Sequence, residues 1–256
     1  MKTTTPLVLL ILCGLLVGAC KTSESAMEPA APMSVEQQLI ESHIAALGGL
    51  EAIRAIESMQ VTGEIEMPSV GMTMPITITS KRPSMVHVRV EVAAMNAEVI
   101  NAYDGETAWE INPMGGGTRK MTGEQARNIK EQADMDGFLI DYEAKGYAVH
   151  YVGEEEVNGS NTKKLRVIRP DSSEIIVFLD AESFLQVKTE TEGTNPMTGV
   201  KAKMVTFMMD YRDVDGIMIP FEMKVLMDGQ VFQIITMKEV KTNMEVDETI
   251  FAYPKK

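Results

Sequence analysis

The sequence predicts a mainly β, α+β protein built on one large, highly curved antiparallel sheet, open or nearly closed. Three observations carry that expectation. First, apolar residues recur with period two: Met59, Val61, Ile65 and Met67 alternate with polar residues, as do Met72, Met74, Ile76 and Ile78. Val86, Val88, Val90 and Val92 likewise alternate with His87, Arg89 and Glu91, the pattern of strands with one face buried. Second, Asp104-Gly105, Asn158-Gly159 and Asp228-Gly229 separate such runs and suit tight hairpin turns, and Asp215-Gly216 fits the same role. Third, about a dozen strand-like runs stand against only a few helical ones, the proportion expected of sequential hairpins in a single sheet.

The elements follow in order. Lys2 precedes an apolar run over residues 7–17, the length of a secretory signal core and too short to span a bilayer. The run ends in Val17-Gly18-Ala19-Cys20, which resembles the lipobox of bacterial lipoproteins; the resemblance implies cleavage before Cys20 and acylation of its thiol. Residues 1–19 are therefore expected to be a lipoprotein signal peptide, and 20–33 a lipidated cysteine with a polar, Pro-containing tether. Residues 34–256 are expected to form a single domain. Cleavage removes Lys2 and no acidic residue, taking the net charge from −13 to −14. It also leaves Cys20 as the sole cysteine, so no disulfide forms within the mature chain. Lys21, where an Asp would signal retention at the inner membrane in enterobacteria, favours the outer membrane.

Ser34 and Gln37 form a capping box. Val35, Leu39, Ile40, Ile44 and Leu47 follow at helical spacing, until Gly48-Gly49 stops the helix. A short turn of helix is expected over 50–56. At 113–146 the period breaks: Pro113 and Gly115-Gly116-Gly117 close the first group of strands, Thr122 with Gln125 caps a polar helix, and a second helical stretch is expected around Phe138, Leu139 and Ile140. Strands resume over 147–157, 162–169, 173–180, 184–192, 200–212, 217–227 and 230–241.

Composition narrows the function. With 37 acidic against 24 basic side chains the chain lacks the basic stripe of a nucleic-acid binder, and 45% hydrophobic residues exclude wholesale disorder. Aromatics are scarce at 5%, yet there are 21 methionines. Met72, Met74, Met208, Met209, Met218, Met223, Met227 and Met237 all fall in expected strands. Unbranched, polarisable Met makes a surface that adapts to chains of variable shape, and it is equally an ordinary core filler. A copper site at Met72 and Met74 has no Cys or His close by in the sequence to support it.

The stretches HIAALGGLEAIRAIESMQVTGEI (residues 43–65), AYDGETAWEINP (102–113), VDGIMIPFEM (214–223) and DETIFAYP (247–254) resemble the bacterial outer-membrane lipoprotein-sorting superfamily, the group of the LolA, LolB and RseB-like proteins. The resemblance covers nearly the whole mature chain. It implies an unclosed half-barrel of about eleven strands with helices on its concave side, enclosing a cavity for acyl chains of lipoproteins or other lipids. On that reading the cavity candidates are Met72, Met74, Val88, Val90, Trp109, Met208, Phe221 and Met223. The expected partners are such acyl chains, the membrane through the Cys20 lipid, and, in RseB-like fashion, a periplasmic protein. The expected location is the bacterial envelope, at the outer membrane.

No enzyme is expected. His43, His87 and His150 are scattered without metal-ligand spacing, with His87 and His150 on a solvated face. G-x-S-x-G, H-E-x-x-H and phosphate-cradling motifs are not found, so neither cofactor nor metal is implied. Glu154-Glu155-Glu156 reads as strand-edge protection, and Asn158-Gly159-Ser160 as a hairpin turn.

Overall fold

The structure, a computed structural model, describes residues 32–195 and 198–254. The expected signal segment and Cys20 lie outside the described residues. Residues 33–256 form one compact unit.

Thirteen strands make a single antiparallel sheet in the order β6-β5-β4-β3-β2-β1-β13-β12-β11-β10-β9-β8-β7. The first meander comprises β1 (Ser58–Met67), β2 (Met72–Lys81), β3 (Met85–Val92), β4 (Ala97–Tyr103), β5 (Ala108–Asn112) and β6 (Gly117–Lys120). The second comprises β7 (Ala148–Val157), β8 (Ser160–Ile168), β9 (Glu174–Asp180), β10 (Gln186–Thr194), β11 (Lys201–Val214), β12 (Ile217–Met227) and β13 (Gln230–Thr242). The two meanders join where β1 pairs with β13. β6 and β7, consecutive in sequence, are therefore the two free edges. The chain between them has to cross a face of the sheet, and that crossing positions the site.

The turn chemistry explains the hairpins. Asn158 and Gly159 have φ of 52° and 87°, Asp215 and Gly216 51° and 86°, Asp228 and Gly229 49° and 80°. Positive φ at both central residues is the type I′ geometry that matches strand twist. Asp104-Gly105 differs: Tyr103 pairs with Ala108 across a four-residue loop, and the Asp104 carboxylate accepts the amides of Glu106 and Thr107 at 2.9 and 2.6 Å.

Among the described residues three α-helices complete the fold, α1 (Val35–Ala46), α2 (Leu50–Ala55) and α3 (Gly123–Ala133). The expected capping box opens α1: Ser34 Oγ accepts the Gln37 amide at 3.2 Å and Gln37 Oε1 accepts the Ser34 amide at 2.9 Å. Gly48 does more than stop this helix. Its φ is 112°, and a Cβ there would overlap the carbonyl oxygen of Gly216, where the Leu47 carbonyl accepts the Met218 amide at 3.0 Å. Only glycine fits against that turn.

Three expectations at 113–146 are corrected. Pro113 and the three glycines do not close the first group of strands: they turn the chain from β5 into β6, where Gly117 opposes Asn112. Thr122 is the N-cap of α3 by position, but its side chain makes no capping bond. Residues 135–146 form a run of turns rather than a second helix, because Gly137, Asp141 and Gly146 take positive φ of 69°, 53° and 80°. The apolar residues still serve the core, with Leu139 and Ile140 buried.

The core is three apolar clusters on the concave side of the sheet. Leu39 and Ile40 of α1 pack with Leu139 on Leu165, Val167, Ile175 and Val177. Ile53 of α2 packs with Ile56 and Ile140 on Ile217, Ile219 and Phe221. Ile129 and Ala133 of α3 pack on Ile65, Ile76, Val86 and Val88.

Candidate ligand groove

Residues directly opposed across an antiparallel pair share a face, so register places the candidates. Met74 opposes Ile65, Ile65 opposes Ile235, Ile235 opposes Met223 and Met223 opposes Met208. One unbroken apolar rung thus crosses five strands of the concave face. Met74, Ile235, Met223 and Met208 are only half-buried on it. Met72 opposes Met67 one step along the same face. Val88 and Val90 oppose Ile78 and Ile76. Val88 is buried beneath α3, with half-buried Val90 packed beside it. Phe221 faces inward too but is buried under α2.

Trp109 stands on the other face. It opposes Ala102, which opposes His87, whereas inward-facing Val88 is one residue away in β3. Its indole Nε1 donates to the Phe251 carbonyl at 2.7 Å, and Tyr253 meets its ring edge-on with centroids 6.2 Å apart. The C-terminal segment covers this patch of the convex face. His87 is accordingly half-buried against Trp109 at 6.4 Å, not solvated as alternation suggested; His150 is exposed.

α3 bridges the groove. On one side it is anchored by apolar packing, through Ile129 and Ala133 against β1–β4. On the other it is held by polar contacts. Arg169, after β8, is bidentate on Glu131, Nε to Oε1 at 2.7 Å and Nη2 to Oε2 at 3.1 Å. Arg127 pairs with Asp171. Glu124 accepts the Thr194 amide at 2.9 Å and hydroxyl at 2.7 Å, and that hydroxyl above all holds the Glu124 carboxyl below the usual carboxylate range. Between α3 and the sheet lies a cavity of about 690 Å³ lined by Thr191, Met204, Thr206, Met227 and Phe232, with Asn128 and Glu131 above. Its size falls within the roughly 300–1,000 Å³ of small-molecule sites. Met204, Thr206 and Met208 are successive inward positions on β11, and Met227, Val225 and Met223 on β12, so the floor of the cavity leads onto the methionine rung.

Sequence reasoning missed Met204, Thr206 and Phe232. Parity with Met208 was the available signal for the first two. Phe232 falls at the β12–β13 register shift, which period two does not anticipate.

Among the described residues no cluster of three or more His, Cys, Asp or Glu is placed to hold a metal ion. Glu154 pairs with Lys163, and Glu155 with Lys164 at 2.7 Å, across the edge hairpin β7–β8. His43 is buried at 6% exposure, its Nδ1 donating to the Phe184 carbonyl at 2.8 Å in a turn where Phe184 has φ of 57°. Burial holds its pKa below the ordinary imidazole value, against the smaller opposing effect of that carbonyl. The ring is neutral in both states above about pH 6.5. As pH falls through that value the unfolded chain takes up the proton first, so stability declines on acidification. Chemical denaturation at descending pH is expected to show this loss, and His43→Gln to reduce it; His87, also lowered by burial, adds slope in the same range, and carboxylates held low, such as Glu124, add it at more acid pH.

No family model matches the chain, and no curated protein matches it. Solved structures do. A DUF1329 family protein from Desulfovibrio piger aligns at 12% identity and TM-score 0.60, covering 86% of this chain and 98% of that one. A domain described as belonging to an outer membrane lipoprotein-sorting protein, from Vibrio parahaemolyticus, aligns at 12% and 0.57, covering 84% and 94%. A LolA superfamily protein from Nitrosomonas europaea aligns at 14% and 0.56, covering 86% and 98%. The chain therefore has the fold of the LolA superfamily: an unclosed antiparallel half-barrel with helices in its concave side.

Proposed function

We propose that this chain is a lipid-anchored binding protein of the bacterial envelope, held at the outer membrane through Cys20. Its half-barrel takes acyl chains of lipoproteins or other lipids in lipoprotein sorting. The observation that carries the reading is the half-buried rung Met74–Ile65–Ile235–Met223–Met208 continuing from the groove under α3. Burial of methylene groups against it contributes roughly 0.8 kcal/mol each, with no covalent step. The fold shared with the lipoprotein-sorting domain and the LolA superfamily protein supports the same reading.

Adjacent residues on one strand test it. Met208 faces the groove and Met209 the opposite side of β11. Met208→Glu puts a charge among methylene-binding side chains and is expected to weaken fatty-acid binding at least about tenfold; Met209→Glu is expected to leave it unchanged. Equal binding by the two variants, both folded by circular dichroism, contradicts the assignment.

A further inference from the structure

We propose that the groove selects amphiphiles with an anionic head, read by Arg127 and Lys130 of α3; this rests on the lipid-binding reading above and names its ligand class. Arg127 lines both the groove under α3, where Met204, Met227 and Phe232 lie among polar residues that include Glu124, Glu131 and Glu192, and a second cavity of about 760 Å³ on the other flank of α3. It is the point where a tail lying on Met204 and Met227 meets polar surroundings. The second cavity presents four cations, Arg127, Lys130, Lys145 and Arg169, against three carboxylates, Glu131, Asp134 and Asp171. That positive balance occurs in a chain whose net charge is −13.

The pairing within the cavity shows which cations are available. Lys145 is bound to Asp134 at 2.5 Å and Arg169 to Glu131. Arg127 spends Nη1 on Asp171, while its Nε is buried and donates to no group among the described residues. The Arg127 side chain is 28% exposed, and the part of its guanidinium that reaches the cavity offers a carboxylate or phosphate oxygen a charge-assisted bond. Lys130, one turn along the same helix, lies 5.5 Å from the Tyr103 ring and has no carboxylate in ion-pair range among the described residues. Arg127 and Lys130 at i and i+3 share a face of α3, so one head group meets both. Asp171 opposes the anion, and this sets a control.

Among the described residues every strand, helix and apolar cluster lies within 33–256, and that segment, which carries this core, serves for the test. Palmitate and cetyl alcohol, alike in tail and different in head, are titrated as competitors of the neutral dye Nile red. Palmitate is expected to bind at least about tenfold more tightly, the equivalent of one charge-assisted hydrogen bond. Arg127→Gln with Lys130→Gln is expected to abolish the preference while cetyl alcohol binding persists. Asp171→Asn, which frees the guanidinium, is expected to enlarge it, and decides the matter if the double variant does not fold. Equal binding of the two amphiphiles, or a preference unmoved in the folded variants, overturns the anionic site and leaves lipid carriage standing; binding of neither amphiphile overturns both.

Discussion

Arg169→Ala lowers the stability of the folded chain by about 3–5 kcal/mol, the usual cost of removing one member of a buried ion pair, and releases α3 from the sheet. The Arg169 side chain is 7% exposed and Glu131 24%, so the pair is shielded from solvent. Besides its two bonds to Glu131, Nη1 of Arg169 reaches Ser173 Oγ at 3.3 Å and the Glu174 carbonyl and Thr191 Oγ1 at 3.5 Å. One side chain thus ties α3 to the loop after β8, to β9 and to β10. Truncation leaves Glu131 without its bidentate partner and removes a donor from Ser173, Glu174 and Thr191, although the Glu174 carbonyl keeps the Thr191 hydroxyl. Arg169→Lys recovers part of the loss, since an ammonium cannot reproduce the bidentate fork. Denaturant unfolding measures the loss, and hydrogen exchange locates it: α3 amides gain more in exchange rate than those of β8 and β9, which rise only with the global loss. For comparison, Arg54–Asp141, with both side chains about half exposed, is worth less than about 1 kcal/mol. If Arg169→Ala costs no more than Arg54→Ala, the polar side of the bridge is not what holds α3.

Phe251→Ala costs about 3–5 kcal/mol by leaving a cavity where a fully buried ring stood, and shifts the Trp109 emission to longer wavelength. Trp109 is the only tryptophan and is 2% exposed beneath the segment that Phe251 pins down. Loosening that segment admits water to the indole and frees its Nε1. A ligand in the concave groove, by contrast, leaves Trp109 emission unchanged, because the ring belongs to the convex face. The pair of measurements separates the two faces. An emission shift on fatty-acid addition with no shift in Phe251→Ala would reverse the assignment of faces.

What was legible in the sequence was local. The alternation at 86–92 and the Asn-Gly and Asp-Gly turns located strands and hairpins within a few residues, since period and turn type are properties of neighbours along the chain. Ser34 and Gln37 gave the start of α1 for the same reason. Met208 and Met204 share parity, as do Phe221 and Met223, but parity does not say which face is concave, nor what covers the other. Trp109 shows the consequence: the group that buries it, Phe251, lies 142 positions away. The bridge over the groove was equally hidden, because Glu131 meets Arg169 across 38 positions and Glu124 meets Thr194 across 70. The run at 135–146 misled because its apolar residues sit at helical spacing while glycines and Asp141 turn the backbone left-handed. A helical stretch was expected there, and the chain instead buries Leu139 and Ile140 from a run of turns.

The central claim is that acyl chains lie on the methionine-lined concave face. A fatty acid carrying a photoreactive group along its tail, irradiated with the chain and mapped by peptide mass spectrometry, tests it most directly. Adducts are expected on Met204, Met208, Met223 and Met227, inward residues of β11 and β12, suppressed by excess palmitate. Adducts confined to Met209 or Trp109 on the convex face, or none that palmitate suppresses, would contradict it.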